Sequence, residues 1–424
     1  MFQTIIDAFK IKEVRRKIIL TLVLLLVYRV GCWIPVPGLD LSAFQISGDG
    51  FLGILNGVTG NALSNGAILA LGVVPYINAS IIMQLLTIAI PKLERLARQG
   101  GEEGKKKITF YSRILALVLA LAQSIGLVVG MFGGYLDPNG SIGSTFVAGM
   151  IVVLVLTAGA MFTVWIGEKI TELGVGNGQS MLVFVGILAT AGRAIVTEIN
   201  SVAGNIDLIW TFFVFLAAVV IIFGFITFID MAERKVPVQY AKQIKGRKMY
   251  GGQSTFIPIK INSNGVMPII FAMALLTFPQ LIFSMVGSGG IYPSFLQMGG
   301  WLYTVLVAVL IFFFSYFYAQ ATFNPADVSR QIQQNGGFIP GIRAGQPTAE
   351  YLTKISRRIT FFGALFLAVV ALVPTLIFGF VASGSSLVNA FSATGLIIVV
   401  SVALEFNKQL EAQLLMRNYK GFLK

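Results

Sequence analysis

The chain has 424 residues, of which 56% are hydrophobic and 12% charged, and it carries 31 Lys and Arg against 18 Asp and Glu for a net charge of +13. Its mean hydropathy of +0.83 excludes an ordinary soluble globular chain. With no histidine and one cysteine, His-based metal sites, Ser-His or Cys-His catalysis and an intrachain disulfide are excluded as well, and no HExxH, GxSxG or phosphate-loop pattern occurs. No catalytic residue, metal or cofactor is expected.

From the N-terminus, Met1 to Lys17 is too polar for a cleavable signal peptide. The apolar runs that follow reach the roughly 20 residues needed to cross a bilayer. They place spans at about 18–34, 72–90, 114–132, 147–167, 174–192, 208–229, 266–286, 301–320, 360–380 and 388–404. Residues 261–326 hold 66 positions without an acid or base, too many for one crossing, and break at Gly287-Ser288-Gly289-Gly290 through Pro293; 359–404 breaks near Ser383-Gly384-Ser385-Ser386. Backbone groups in lipid must be satisfied within the segment, so apolar stretches of this length are read as helices. The expected fold is an all-α polytopic membrane protein of ten transmembrane helices.

Charge checks the parse. With both ends on one side, 29 of the 31 bases fall on that side together with 13 acids; Arg193 lies opposite with five acids, and Arg29 lies inside the first span. Basic residues near span ends are retained in the cytoplasm, so both termini are expected to be cytoplasmic and the protein multi-pass. The long basic-side loops are 230–265, with seven bases, and 325–358, with Gly-rich turns at Gly336-Gly337 and Gly341-Ile342-Arg343-Ala344-Gly345. An equal division of spans, five and five, suggests halves of opposite topology, as in many transport proteins.

Residues 50–66 lack charge but are rich in Gly, Asn, Ser and Thr, a poor lipid-facing helix. They form either an external loop or a short re-entrant element lining a water-filled cavity. Arg29, about eleven residues into the first span, costs roughly 2.5–3.5 kcal/mol on insertion scales and therefore needs a partner or water. It either braces the interior or snorkels outward. Cys32 reads as a small apolar packer.

Six blocks make a resemblance specific: Gly72-Val73-Val74-Pro75-Tyr76-Ile77-Asn78-Ala79-Ser80-Ile81-Ile82-Met83-Gln84-Leu85-Leu86, Gly174-Val175-Gly176-Asn177-Gly178-Gln179-Ser180, Tyr240-Ala241-Lys242, Gln253-Ser254-Thr255, Phe323-Asn324-Pro325 and Phe338-Ile339-Pro340-Gly341-Ile342-Arg343. In this order on ten spans, the chain resembles the SecY family, the channel subunits of the bacterial protein translocase, through essentially its whole length. The resemblance implies two pseudo-symmetric five-helix halves, 1–200 and 201–424, around a central pore in the bacterial inner membrane. It implies a non-enzymatic channel that passes unfolded polypeptides and releases hydrophobic segments into lipid.

The resemblance also assigns residues. The pore ring is Val73, Ile77, Gln179, Val183, Ile270 and Ile398. Read from the residues alone, 73/77 and 179/183 are i, i+4 pairs able to share an axis, or ordinary packing positions; an aliphatic collar dewets a narrow pore. Gln179 departs from that collar, either loosening the seal or bonding to a polar neighbour. The segment at about 54–66 aligns with the family's plug, with Asn56, Gly57, Thr59, Gly60, Asn61, Ser64 and Asn65 in it. A lateral gate runs between the second and third spans and the seventh and eighth, where Asn78, Ser80, Gln84, Gln123 and Thr277 are polar groups in apolar helices. Arg247, Lys248 and Arg343 would dock the motor ATPase SecA and the ribosome; most other cytoplasmic bases serve topology and anionic-lipid contact. Ala344 replaces a proline common in the docking turn. Further implied partners are SecE, SecG, signal peptides, secretory polypeptides and membrane lipids. The competing reading is a secondary transporter of a small solute, disfavoured because Arg29 is the one clear intramembrane ionisable group.

Overall fold

The computed structural model describes residues 2–39, 56–130, 132–136, 145–204, 209–240, 243–245, 248–250, 254–262, 267–286, 301–381 and 393–421. Ten of its helices correspond to the predicted spans: α2 (Lys12–Gly31), α3 (Val74–Ala89), α5 (Gly101–Gly130), α6 (Thr145–Leu173), α7 (Gly178–Gly204), α8 (Ile209–Asp230), α9 (Met267–Val286), α10 (Trp301–Thr322), α12 (Gln346–Val381) and α13 (Ala393–Gly421). The others are short: α1 (Phe2–Lys10), α4 (Pro91–Gln99) and α11 (Pro325–Gln334). Among the described residues, six helical segments are individually long and apolar enough to cross a membrane, and the bent pair α3–α4 makes a seventh. The first span falls short of that measure because α2 opens with the charged run Lys12 to Lys17. The last does because the predicted span begins at 388, in residues outside those described. The breaks at Gly287–Pro293 and Ser383–Ser386 also lie outside them.

Several helices overrun their spans on the basic side. α12 has 36 residues, about 54 Å at 1.5 Å per residue against a hydrocarbon core of about 30 Å. α5 begins at Gly101, well before the apolar stretch, and α13 continues through Lys408 to Gly421. Between α3 and α4 the chain turns by 107°. Ile90 there is extended (φ −107°, ψ 112°) because it precedes Pro91, which disfavours the helical region for the residue before it. Both terminal helices meet on this side: α1 packs on α13, Ala8 and Leu410 share a cluster with Val14, Ile18 and Val175, and Thr4 Oγ1 donates to Glu411 at 3.5 Å. An even number of crossings puts both helices on one side.

The two long basic loops are not separate projections. β1 (Glu233–Tyr240) pairs antiparallel with β4 (Ser254–Lys260) and with β5 (Gly337–Phe338), so one three-stranded sheet in the order β4-β1-β5 takes strands from both loops; β2 (Gln243–Lys245) and β3 (Lys248–Tyr250) form a distal hairpin. Val236, Val238 and Ile259 pack from the sheet onto Ile332 of α11, Ile339 and Leu352 of α12. The alternation in Glu-Arg-Lys-Val-Pro-Val-Gln-Tyr, with Val236 and Val238 buried, is the period of a half-buried strand. Among the described residues, this sheet and the hairpin β2–β3 are the strand-forming part of an otherwise helical fold.

Inside the membrane region the cores are built from distinct helix sets. One joins α5 and α6 through Ala120, Leu127, Val152 and Leu156. A second joins α8, α9, α10, α12 and α13, with Ile81 of α3 inserted. A third, between them, receives side chains from α2, α6, α7 and α13 together with residues 62–73.

Candidate functional site

The third core contains the predicted ring. Val73 (the residue capping α3), Val183 of α7 and Ile398 of α13 are buried in it, and Ile77 of α3 and Ile270 of α9 pack against it. Five of the six positions, drawn from four helices, thus share one aliphatic cluster. The sixth turns elsewhere. Gln179 is partly buried, and its Nε2 donates to the Val164 carbonyl of α6 at 3.4 Å while its buried Oε1 has no protein partner.

The loop leading into α7 explains that placement. Val175 N–H donates to Thr21 Oγ1 at 3.1 Å, Gly178 N–H to Thr171 Oγ1 at 2.9 Å, and Asn177 caps the helix by accepting from Gln179 N–H at 3.1 Å. Gly176 has φ +92°, a left-handed conformation that glycine adopts without Cβ strain. Gly178 approaches the Gly167 carbonyl so closely that a Cβ there would collide with it. The Gly-Val-Gly-Asn-Gly run is therefore a backbone-packing device that brings α7 against α6.

Immediately beside this cluster lies the predicted plug. Asn56 to Thr59 form a helical turn and 60–66 continue as tight turns; residues 54–55 lie outside the described ones. The polar side chains that make the segment a poor lipid-facing helix bond to one another. Asn56 Nδ2 donates to Asn61 Oδ1 at 3.0 Å, Ser64 N–H to Asn56 Oδ1 at 3.0 Å, Ser64 Oγ to the Asn61 carbonyl at 2.9 Å, Asn65 N–H to the same carbonyl at 3.2 Å, and Thr59 Oγ1 to the Asn56 carbonyl at 3.3 Å. Thr59, Ala62 and Leu63 are buried. Their burial shows the segment packed against the protein instead of extending into solvent.

Three neighbours seat the segment. Arg29 of α2 donates from Nη2 to the Gly60 carbonyl at 3.4 Å. Thr190 of α7 donates to the Gly57 carbonyl at 2.9 Å. Gly186, one turn earlier, lies directly under the Val58 carbonyl, where a Cβ would collide with it. The brace alternative for Arg29 thus has its partner, and Cys32 is buried among Leu25, Tyr28, Ala62 and Ala67 as a small packer. Beyond the plug the chain is pinned by Val36 N–H to the Gly66 carbonyl at 2.8 Å and Ile68 N–H to the Ile34 carbonyl at 2.9 Å. Sequence reading missed Thr190 and Gly186. The glycines at 159 and 167 on α6, and at 178 and 186 on α7, were the available signal for close helix approach.

Of the gate residues, Asn78 on α3 and Gln123 on α5 are buried, and their Nδ2 and Nε2 have no protein acceptor. Ser80 donates back to the Ile77 carbonyl at 2.9 Å, and Gln84 is partly buried. α9 packs against both α3 and α5. The Thr277 side chain lies outside the described residues. So do Arg247 and the side chain of Lys248, whose backbone belongs to β3. Arg343 is exposed on a turn with Gly341 (φ +83°) before it and Gly345 (φ +102°) after it. The turn is held by Ile342 N–H to the Ile339 carbonyl at 3.0 Å and Thr348 Oγ1 to the Arg343 carbonyl at 2.8 Å. Nearby, partial burial and the neighbouring Lys260 hold the Lys408 ammonium below the usual lysine range, with Asp230 and Glu233 pulling the other way.

A family model for SecY matches residues 67–407. The chain belongs to the SecY family. Protein translocase subunits SecY are similar over nearly all of both chains: that of Streptomyces galbus is 42% identical over 98% of each, and that of Thermotoga maritima 39% identical over 100% of this chain and 98% of its own. Among solved structures, one described as a protein conducting channel superposes with a TM-score of 0.69 at 17% identity, covering 93% of this chain and 91% of the other. Sec61 in the canine ribosome-channel complex superposes with a TM-score of 0.64 at 16% identity, covering 93% of this chain and 91% of its own. The chain is a protein-conducting channel subunit and not an enzyme. Its fold is that of the ten-helix polytopic channels, and the comparisons give no support to a small-solute transporter.

Proposed function

We propose that the translocating polypeptide passes between two five-helix halves, residues 1–200 and 201–424, through a constriction formed by Val73, Ile77, Gln179, Val183, Ile270 and Ile398. The segment at about 54–66 plugs it when idle. Hydrophobic segments leave sideways past Asn78, Ser80, Gln84, Gln123 and Thr277. The observation that carries this reading is the gathering of five of those ring side chains, from four helices, in one aliphatic cluster that also holds Val58, Ala62 and Ala67. An aliphatic collar of that kind excludes water and ions yet yields to a passing chain, because dispersion contacts are individually weak.

SecE and SecG are the companion subunits in this reading, and SecA or the ribosome supplies the polypeptide at the basic side. The membrane is the bacterial inner membrane, with both termini cytoplasmic and membrane lipids around the gate. Signal peptides open the seam between α3 and α9. The sheet assembled from both basic loops supports a common docking platform for these partners, and Arg247, Lys248 and Arg343 are the bases of those loops assigned to docking. Its bases attract anionic surfaces through long-range, salt-sensitive interactions.

The test is a secretory polypeptide arrested in transit, with a photo-crosslinking residue placed at position 77 or 270. Crosslinks to the arrested chain at both positions are expected. Crosslinks absent there, in channels that still hold the arrested chain, would overturn the ring.

A further inference from the structure

Gln179 is the polar exception among the ring positions, and Gly167 of α6 faces it. A methyl group added at Gly167 would lie 2.6 Å from Gln179 Nε2, 2.7 Å from Cδ and 2.8 Å from Oε1, so the carboxamide occupies the space that a side chain at 167 would fill. The head group is held there by its one hydrogen bond to the Val164 carbonyl and by shape. Oε1, buried with no donor from the protein, adds nothing to the hold. The neighbouring α6 side chains, Ile166 and Ile170, belong to the same aliphatic cluster as Val183 and Ile398.

We propose that Gly167 is the positioning residue that keeps the Gln179 carboxamide out of the constriction, so that the idle ring presents only aliphatic side chains. This rests on the ring assignment above. A carboxamide offers a donor pair and an acceptor, and a group of that kind free in a narrow collar gives water something to bond to and undoes dewetting. Parked against the α6 backbone, the same group is withdrawn. Because the colliding atoms are the far end of a flexible side chain, a methyl at 167 displaces the carboxamide and leaves the helices in place.

The experiment is ion conductance of the idle complex in planar bilayers, comparing Gly167→Ala, Gln179→Ala and the double variant, with Gly192→Ala as a control because a Cβ there meets nothing within 4 Å. Gly167→Ala is expected to raise the leak several-fold over the parent, and the double variant, which lacks the displaced carboxamide, to leak no more than Gln179→Ala alone. A tight Gly167→Ala channel, or a double variant as leaky as Gly167→Ala alone, overturns the proposal; the latter would mean that the methyl damages helix packing. Crosslinking at 77 and 270 reports on the ring separately. Positive crosslinks with a tight Gly167→Ala channel would remove this inference alone.

Discussion

Arg29 of α2 reaches Gly60 in the plug segment, 31 positions away along the chain, and donates to its carbonyl oxygen at 3.4 Å. Gly60 sits at φ +71°, and a Cβ there would collide with Arg29 Nη1, so the guanidinium and the glycine backbone are in direct contact. The cation of the first span and the Gly-rich segment that follows it thereby meet, with Nη2 bonded and Nη1 buried without a protein acceptor. The charge finds an acceptor, and a turn with little apolar surface of its own is held from outside.

Replacing Arg29 with Met should loosen the plug without weakening the fold. A hydrogen bond from a charged donor is worth about 1.5–3 kcal/mol, and at the long end of the distance range about 1 kcal/mol is reasonable. That corresponds to roughly a fivefold shift toward the undocked plug. Removing the buried charge also removes an insertion cost of about 2.5–3.5 kcal/mol, so thermal stability should not fall. Idle conductance should rise about fivefold while the melting temperature holds or increases; an unchanged conductance would refute the brace.

Gly186→Ala tests the other side of the seat. Its Cβ would strike the Val58 carbonyl, a backbone atom that cannot rotate aside. Alanine is the better helix former by about 1 kcal/mol, so α7 itself is not weakened. The displaced element is the plug, and idle leak should exceed that of Arg29→Met. A channel as tight as the parent would show that the plug seats elsewhere.

Asn78→Leu should strengthen the closed gate. The Asn78 side chain is buried with Nδ2 lacking a protein acceptor, and such a group carries a penalty of about 1–3 kcal/mol. Leucine, branched in the same way though larger, removes it and adds apolar contact near Ile81, which packs with the α9 cluster. Export driven by a weakly hydrophobic signal sequence should drop several-fold while a strongly hydrophobic one is tolerated. Equal loss for both would indicate a folding defect instead.

Legibility in the sequence followed the physics of each feature. All ten spans were readable because a bilayer imposes one length and one polarity on every crossing, and the charge split checked them. That Val73, Ile77, Val183, Ile270 and Ile398 would come together was legible only through resemblance, since i, i+4 spacing alone cannot separate a pore face from a packing face. The sheet β4-β1-β5 was not, because β5 is two residues long and comes from a different loop, about 75 positions beyond β4. Nor were the contacts of Gly186 and Thr190 with the plug, which depend on how two helices cross.

Arg113 and Glu168 offer a test of the frame around the pore. Arg113 Nε on α5 lies 2.7 Å from Glu168 Oε1 on α6, with side-chain exposures of 45% and 19%. Losing the arginine strands the less exposed carboxylate, whereas losing the glutamate leaves a guanidinium that water already reaches. Arg113→Ala should therefore cost more, about 1–2 kcal/mol after discounting for solvent screening, and Glu168→Ala less than about 1 kcal/mol. Unfolding in detergent for both variants and the double variant measures the difference, and equal costs would mean that the pair is effectively solvated.

Arg343→Glu should separate docking from folding. The side chain is exposed, while the turn beneath it is fixed by Thr348 Oγ1 on its carbonyl and by the glycines on either side, neither of which depends on the guanidinium. Charge reversal in an exposed loop therefore leaves the sheet and α12 intact and changes only what the platform offers an anionic partner. Motor-driven export into inverted vesicles should fall to near background with normal amounts of inserted channel. Raising the salt should reduce export by the parental protein as well, since the attraction is screened over about 8–10 Å. Export unchanged by the substitution would place the docking contact elsewhere on the platform, with the hairpin β2–β3 as the next surface to reverse.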